Sequence, residues 1–269
     1  MIGVTTKGGS GLSTYLAALA WDVAGRAKTL LVDGDPMGGD HETRFGLKLG
    51  PAADQLGLRR VVASGGSVDA IEAAAVQVKG RENLWILPGF RGESGLGAEE
   101  LLARFGGRAA GYGADAFRKP VLTLSQTSFE VVILDLGQPF CYPGLLDPAK
   151  VGSVLARSSD RLVIVIKDDP THADHHVEVL RKAALPRAEL VVAHRPGASD
   201  IKQIFRQSLE ENSINVQVAD VDWVWRDAVA LKAQSESRPM PAEGLAKSLG
   251  ILGAAAAVRA TVNPDSVAR

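Results

Sequence analysis

Eight residues near the start of the chain, Lys7-Gly8-Gly9-Ser10-Gly11-Leu12-Ser13-Thr14, have the types and spacing to hold an anion. The glycines let the backbone turn with its N–H groups converging. An apolar, alanine-rich helical pattern from Tyr15 to Ala24 follows at once and adds the positive end of a helix, so phosphate oxygens can replace water as acceptors. Ser13 stands where a hydroxyl would ligate Mg2+. About twenty residues on, Asp33 and Asp35 lie one residue apart at the end of the apolar run Lys28 to Asp33. Two carboxylates so placed can hold Mg2+ through water and orient a hydrolytic water. The competing reading is an acidic turn, because Asp-Gly and Asp-Pro are common loop dipeptides. A third acid, Asp135, closes the apolar run Val131 to Leu134, a further strand end able to hold magnesium through a water.

The general phosphate loop reads Gly-x-x-x-x-Gly-Lys-[Ser/Thr], with its lysine on the β/γ-phosphates. Here Leu12 holds the lysine's place, and a different lysine, Lys7, stands at the front of the loop. With Asp33-Gly34-Asp35-Pro36-Met37-Gly38 and the strand ending in Asp135, this loop resembles that of the ParA/MinD family of dimerising ATPases, which carry a deviant Walker A sequence. The resemblance runs from Met1 to about Ala257 and departs from the loop pattern at Leu12. It implies that residues Lys7, Gly8, Gly9, Ser10, Gly11, Leu12, Ser13 and Thr14 surround ATP, and that Lys7 reaches across a dimer to the partner's nucleotide. It further implies that Asp35 orients the attacking water, that Ser13, Asp33 and Asp135 serve Mg2+, and that His194 replaces the asparagine of an Asn-Arg pair on adenine.

An uncharged residue in place of the lysine forfeits a charge-assisted contact of roughly 1.5 to 3 kcal/mol, about ten- to a hundredfold in affinity. It removes a larger share of transition-state charge stabilisation. The expectation is therefore a ParA/MinD-like spatial-organisation protein, at most a weak ATPase, that binds ATP weakly, forms a homodimer and recruits a protein partner of a pilus or secretion, partition or division machinery. TadZ/CpaE-like localisation proteins are the nearest functional analogue. Two alternatives stand beside it: an active partition ATPase using Lys7 in trans, and a nucleotide-free scaffold. The reductase branches of the family use cysteine pairs, and the single Cys141 supplies none within one chain.

The elements that must position these residues follow from alternating apolar strands and helical patterns. Strands are expected at Met1 to Thr6, Lys28 to Asp33, Asn83 to Leu87, Phe129 to Asp135, Arg161 to Lys167, Glu189 to His194 and Ile214 to Val221. Helices are expected at Tyr15 to Ala24, Ala52 to Val62, Ser67 to Val76 with Ser67 as N-cap, Gly97 to Phe105, Thr171 to Ala184, Ser199 to Asn212 and Ala242 to about Thr261, with another opening at Asp222. The pattern specifies an α/β fold, a doubly wound, mostly parallel sheet with helices on both faces. One domain over 1–262 and a frayed tail over 263–269 are expected. The glycine-rich stretch Gly89 to Gly113 is the expected partner-binding segment, with Arg104, Arg108, Arg118 and Lys119 read as a solvated basic face. His172, His175 and His176 read as a solvated helix start rather than a metal site, since no His-Glu-x-x-His arrangement is present. Trp223 and Trp225 read as core or interface packing.

At 269 residues with 46% hydrophobic and 23% charged residues, the chain has an ordinary globular composition. A net charge of -1 gives no support to a non-specific DNA partner. One cysteine excludes an internal disulfide, no charged-then-apolar signal segment precedes the loop, and no run of 18 or more apolar residues occurs. The expectation is a cytoplasmic protein without an integral membrane segment, recruited to a pole, the nucleoid or a membrane by its partner.

Overall fold

The computed structural model describes residues 1–6, 8–35, 39–47, 57–89, 115–141, 148–167, 173–185, 188–194, 206–214 and 217–222. Lys7, residues 90–114, Trp223, Trp225, the expected terminal helix and the tail lie outside the described residues.

Eight strands form one sheet: β1 (Ile2–Val4), β2 (Thr29–Asp33), β3 (Val76–Gln77), β4 (Leu84–Leu87), β5 (Val131–Asp135), β6 (Leu162–Lys167), β7 (Glu189–His194) and β8 (Gln217–Asp222). Their order is β3-β4-β2-β5-β1-β6-β7-β8, and every neighbouring pair is parallel except β3 with β4. The helices are α1 (Leu12–Val23), α2 (His41–Arg44), α3 (Gly57–Ala63), α4 (Val68–Ala74), α5 (Asp115–Leu124), α6 (Pro148–Arg157) and α7 (Ala173–Ala183).

Because side chains alternate across a strand, the apolar runs sort themselves between two cores. Leu31, Ile133, Val163, Val165 and Val191 meet α1 through Tyr15, Leu16 and Leu19. Leu30, Val32, Leu134, Leu162, Ile164 and Ile166 face the opposite way and are covered by Leu58, Ile71, Leu124, Leu155 and Leu180 from α3 to α7. The sheet is thus covered on both faces, as its continuous apolar strands require. Gly3 allows α1 to lie close on β1, since a Cβ there would sit 2.5 Å from Leu16 Cδ1.

Three helices, α2, α5 and α6, are not among the expected ones. Pro120 inside α5 interrupts the usual helical signal, and Pro148 opens α6 from a proline-bearing turn. The helix expected over Ser67 to Val76 ends at Ala74, because Val76 and Gln77 leave it to pair antiparallel with Ile86 and Trp85. Its cap is as expected: Ser67 Oγ accepts from Ala70 N at 3.2 Å. A 3-10 turn, Pro139–Cys141, follows β5.

Candidate functional site

The carboxyl ends of β1, β2 and β5 lie side by side, which is where open α/β sheets place ligands. Register fixes the alignment: Asp135 is paired with Gly3 on one side and with Asp33 on the other. The loop after β1 is anchored by Thr5 N, which donates to Gly137 O at 2.7 Å. Gly8 lies against Gln138, whose Nε2 would be 3.0 Å from a Cβ at that position.

The loop keeps its anion-binding backbone. Gly9 and Gly11 have φ of 74° and 85°, a left-handed conformation that glycine adopts without steric cost. Gly11 is the N-cap of α1 and offers no side chain to its amides. The first intrahelical bond runs from Tyr15 N to Gly11 O, so Ser13 and Thr14 belong to the turn whose N–H groups lack helical acceptors. Gly8 and Gly9 are exposed, Ser10 is buried with its Oγ accepting from Leu12 N at 3.3 Å, and Ser13 is half-buried. Leu12 is 3% exposed and belongs to the apolar cluster shared by α1 and the sheet. Where a phosphate loop places a cation, this chain places core.

The acids are arranged differently. Asp33 and Asp135 are both buried. His41, fully buried at the start of α2, joins them: its main-chain N donates to Asp33 Oδ2 at 3.1 Å and its ring Nε2–H donates to Asp135 Oδ2 at 3.0 Å. The other Asp135 oxygen accepts from Gly137 N at 3.0 Å. Gly39 lies so close that a Cβ there would overlap both Asp33 oxygens, and Gly89 packs against the same carboxyl group. Asp33 Oδ1 and His41 Nδ1 are buried without a hydrogen-bond partner.

Burial is the main reason the Asp33 carboxyl is pushed up to about 7, reinforced by the Asp135 charge and opposed by His41. For His41, burial works against the charged form. The Asp33 charge, together with the hydrogen bond and charge of Asp135, outweighs it, so the imidazole lies above its ordinary value. The two strand-end acids thus form a buried cluster with His41, and buried Glu42 is next in sequence.

The outer acids are more open. Asp35 is half-buried with its carboxyl over Gly137, where a Cβ would meet it. Asp40 forms a two-point ion pair with Arg44, Nε to Oδ1 and Nη2 to Oδ2, each at 2.7 Å. Arg44 Nη1 donates to Thr14 Oγ1 at 2.7 Å, tying α2 to the first turn of α1. Behind the loop, Thr6 Oγ1 is hydrogen-bonded to His176 Nδ1, and His175 Nε2 donates to Thr6 O at 3.4 Å. The expectation of a solvated start to this helix therefore fails for His176, which is buried against Thr6. His172 lies outside the described residues. His194 ends β7 in register with Asp222.

The residues present fit a phosphate group, while the two strand-end acids as they stand do not offer a magnesium ion an open set of direct oxygen ligands. Positive-φ glycines and an uncapped helix start supply the amide donors a phosphate needs. Mg2+ requires an open, nearly octahedral oxygen set at about 2.0 to 2.1 Å. Here both Asp135 oxygens already accept hydrogen bonds and glycine backbone covers Asp33. Among the described residues, no group of three or more His, Cys, Asp or Glu could hold a metal. His41, Arg44 and His176 carry much of this geometry, and sequence reasoning missed them. The signal for His41 was present, a histidine eight residues after Asp33, but only its burial gives it meaning.

The sequence matches no protein-family model and no curated protein. Solved structures do match. McdA from Cyanothece, in a variant complexed with ATP, aligns at TM-score 0.60 with 15% identity over 95% of this chain and 96% of that one. The septum site-determining protein MinD from Pyrococcus horikoshii, complexed with Mg-ADP, aligns at TM-score 0.59 with 18% identity over 93% of each chain. A plasmid partition protein from Borrelia burgdorferi aligns at TM-score 0.52 with 14% identity over 93% and 96%. No described helix is long and apolar enough to cross a membrane. With this strand order, loop and helix start, the chain has the fold of the ParA/MinD-like P-loop ATPases.

Proposed function

We propose that this chain is a ParA/MinD-like positioning protein that binds ATP weakly, hydrolyses it slowly or not at all, dimerises, and recruits a protein partner of a partition, division, pilus or secretion machinery. The observation that carries this reading is the combination of an intact loop backbone with a buried Leu12 in the lysine's place. Amides of the glycine loop and of the first turn of α1 bind the phosphates, and the end of α1 adds its dipole. No side-chain cation of the loop's second half meets the charge that grows on the transferred phosphoryl group, so binding survives better than catalysis. Asp35, over Gly137 and more open than Asp33, is the residue assigned to orient a water. Lys7 is assigned to the partner's nucleotide across the dimer, and His194 to the adenine edge, both by resemblance.

Two solved structures of this fold carry nucleotide, MinD with Mg-ADP and McdA with ATP, which supports the assignment of the loop. The test is titration of a fluorescent ATP analogue, with light scattering on the same samples. Saturable binding at least tenfold weaker than in a relative with the lysine, turnover far below that relative, and a dimer with ATP are expected. Ordinary family turnover would overturn the pseudo-enzyme reading. The absence of any binding would leave the nucleotide-free scaffold in its place.

A further inference from the structure

His41 joins the two in-register acids at the ends of β2 and β5, its main-chain N–H on Asp33 and its ring on Asp135. Its position is built rather than incidental. The imidazole is fully buried, Asp135 is held from the opposite side by Gly137 N, and Gly39 closes over Asp33. Arg44, two-point paired to Asp40 and bonded to Thr14, fixes the short helix that carries His41 against the first turn of α1. A divalent cation that took the ring's place on Asp135 Oδ2 would displace the imidazole from its acceptor. That would leave the imidazole buried without its acceptor, in a cluster where one ring nitrogen already has none.

We propose that His41, with its main-chain N–H on Asp33 and its ring on Asp135, takes the cation's place at the two strand-end carboxylates, so that the loop takes up the phosphates of a nucleotide without a divalent metal. This rests on the reading of the loop as a nucleotide site, and it goes further by making that site metal-independent. The ring N–H meets Asp135 where an ion would otherwise do so, and among the described residues the backbone amides carry the phosphate contact. A nucleotide with free phosphates, rather than its magnesium complex, is then the ligand. His41 is a positioning residue here: it holds the acids closed and does not touch the phosphates.

Two experiments separate this proposal from the nucleotide reading beneath it. In the first, a fluorescent ADP analogue is titrated into the full chain in excess Mg2+ and in EDTA. Affinities within about twofold of each other are expected, and a gain of tenfold or more with Mg2+ would overturn the proposal. In the second, Mn2+ is added to the nucleotide-free protein while the His41 ring resonances are followed by NMR. They should keep their line widths in the wild type, and selective broadening would overturn the proposal. If no nucleotide binds in either buffer while the ring stays unbroadened, the function reading fails and the closed acid cluster stands. His41→Gln and His41→Ala should both gain Mn2+ binding, detected by loss of the free-ion electron paramagnetic resonance signal. Failure of both folded variants to do so would also count against the proposal.

Discussion

The loop after β1 and the acid cluster at the ends of β2 and β5 sit side by side, yet they are made of different materials. The loop is backbone: its donors are amides set by Gly9, Gly11 and the first turn of α1. The cluster is side chain: Asp33, Asp135 and His41. Losing the lysine at position 12 removes a charge from the first region but not its shape, because the replacing leucine turns into the apolar cluster beside α1 and leaves the amides in place. In the second region a histidine from the neighbouring helix occupies one oxygen of each acid. A backbone site therefore outlives substitutions that a side-chain site does not, so binding and hydrolysis can part company within one fold.

Gly11→Val breaks the first region most severely. A β-branched residue at φ 85° is strained in any surroundings, and its side chain would stand where phosphate must approach the amides. Loss of ATP-analogue affinity by more than about a hundredfold is expected, read by fluorescence titration, with circular dichroism verifying the fold. Full-strength binding by the folded variant would show that the amides are not the donors.

Leu12→Lys sharpens the comparison from the other direction. Restoring the cation should raise nucleotide affinity about ten- to a hundredfold. Removing a leucine from the core should cost about 1 to 3 kcal/mol in urea denaturation, because the lysine must carry its ammonium out of the apolar cluster. Unchanged binding together with lost stability would mean that position 12 is purely structural.

Much of this contrast was open to inspection in the sequence. Gly8, Gly9, Gly11 and Leu12 announced both the loop and its defect, since a loop between a strand and a helix is a local pattern in which spacing sets geometry. The strands ending in Asp33 and Asp135 were equally plain, because buried parallel strands read as continuous apolar runs. The partner of those acids was hidden. His41 becomes informative only when the crossover from β1 through α1 to β2, and the later insertion of β5 between β1 and β2, bring Asp135 within 3.0 Å of its ring. His176 was misread for the same reason: its partner Thr6 is 170 residues away. Helices α5 and α6 were missed because Pro120 and Pro148 imitate the punctuation of loops.

The acid cluster should make the second region sensitive to pH in a direction the loop does not share. Asp33 is pushed up to about 7 from 3.8, so between those values the folded chain holds a proton that the unfolded chain has released. Stability therefore falls as pH rises through that window. His41, also raised, contributes stability that is whole below its ordinary value of 6.5 and is lost as pH rises through its folded one. The unfolding free energy should drop from about pH 5 to about pH 8 by an amount on the order of 1 kcal/mol or more. A denaturation midpoint that climbs over this range would contradict the assignment of the buried groups.

The smallest effect belongs to Asp35→Ala. Its carboxyl lies over Gly137, outside the buried cluster, so nucleotide affinity should change by less than about threefold while any residual phosphate release disappears. A large loss of affinity would move Asp35 from water to nucleotide.

The account stands most directly on one NMR titration of the labelled chain with ADP, with and without Mg2+. It predicts downfield shifts at the amides of Gly9, Gly11, Ser13 and Thr14 while the His41 ring resonances keep their positions in both buffers. Loop amides that stay still, or a His41 ring that moves only when Mg2+ is present, would contradict it.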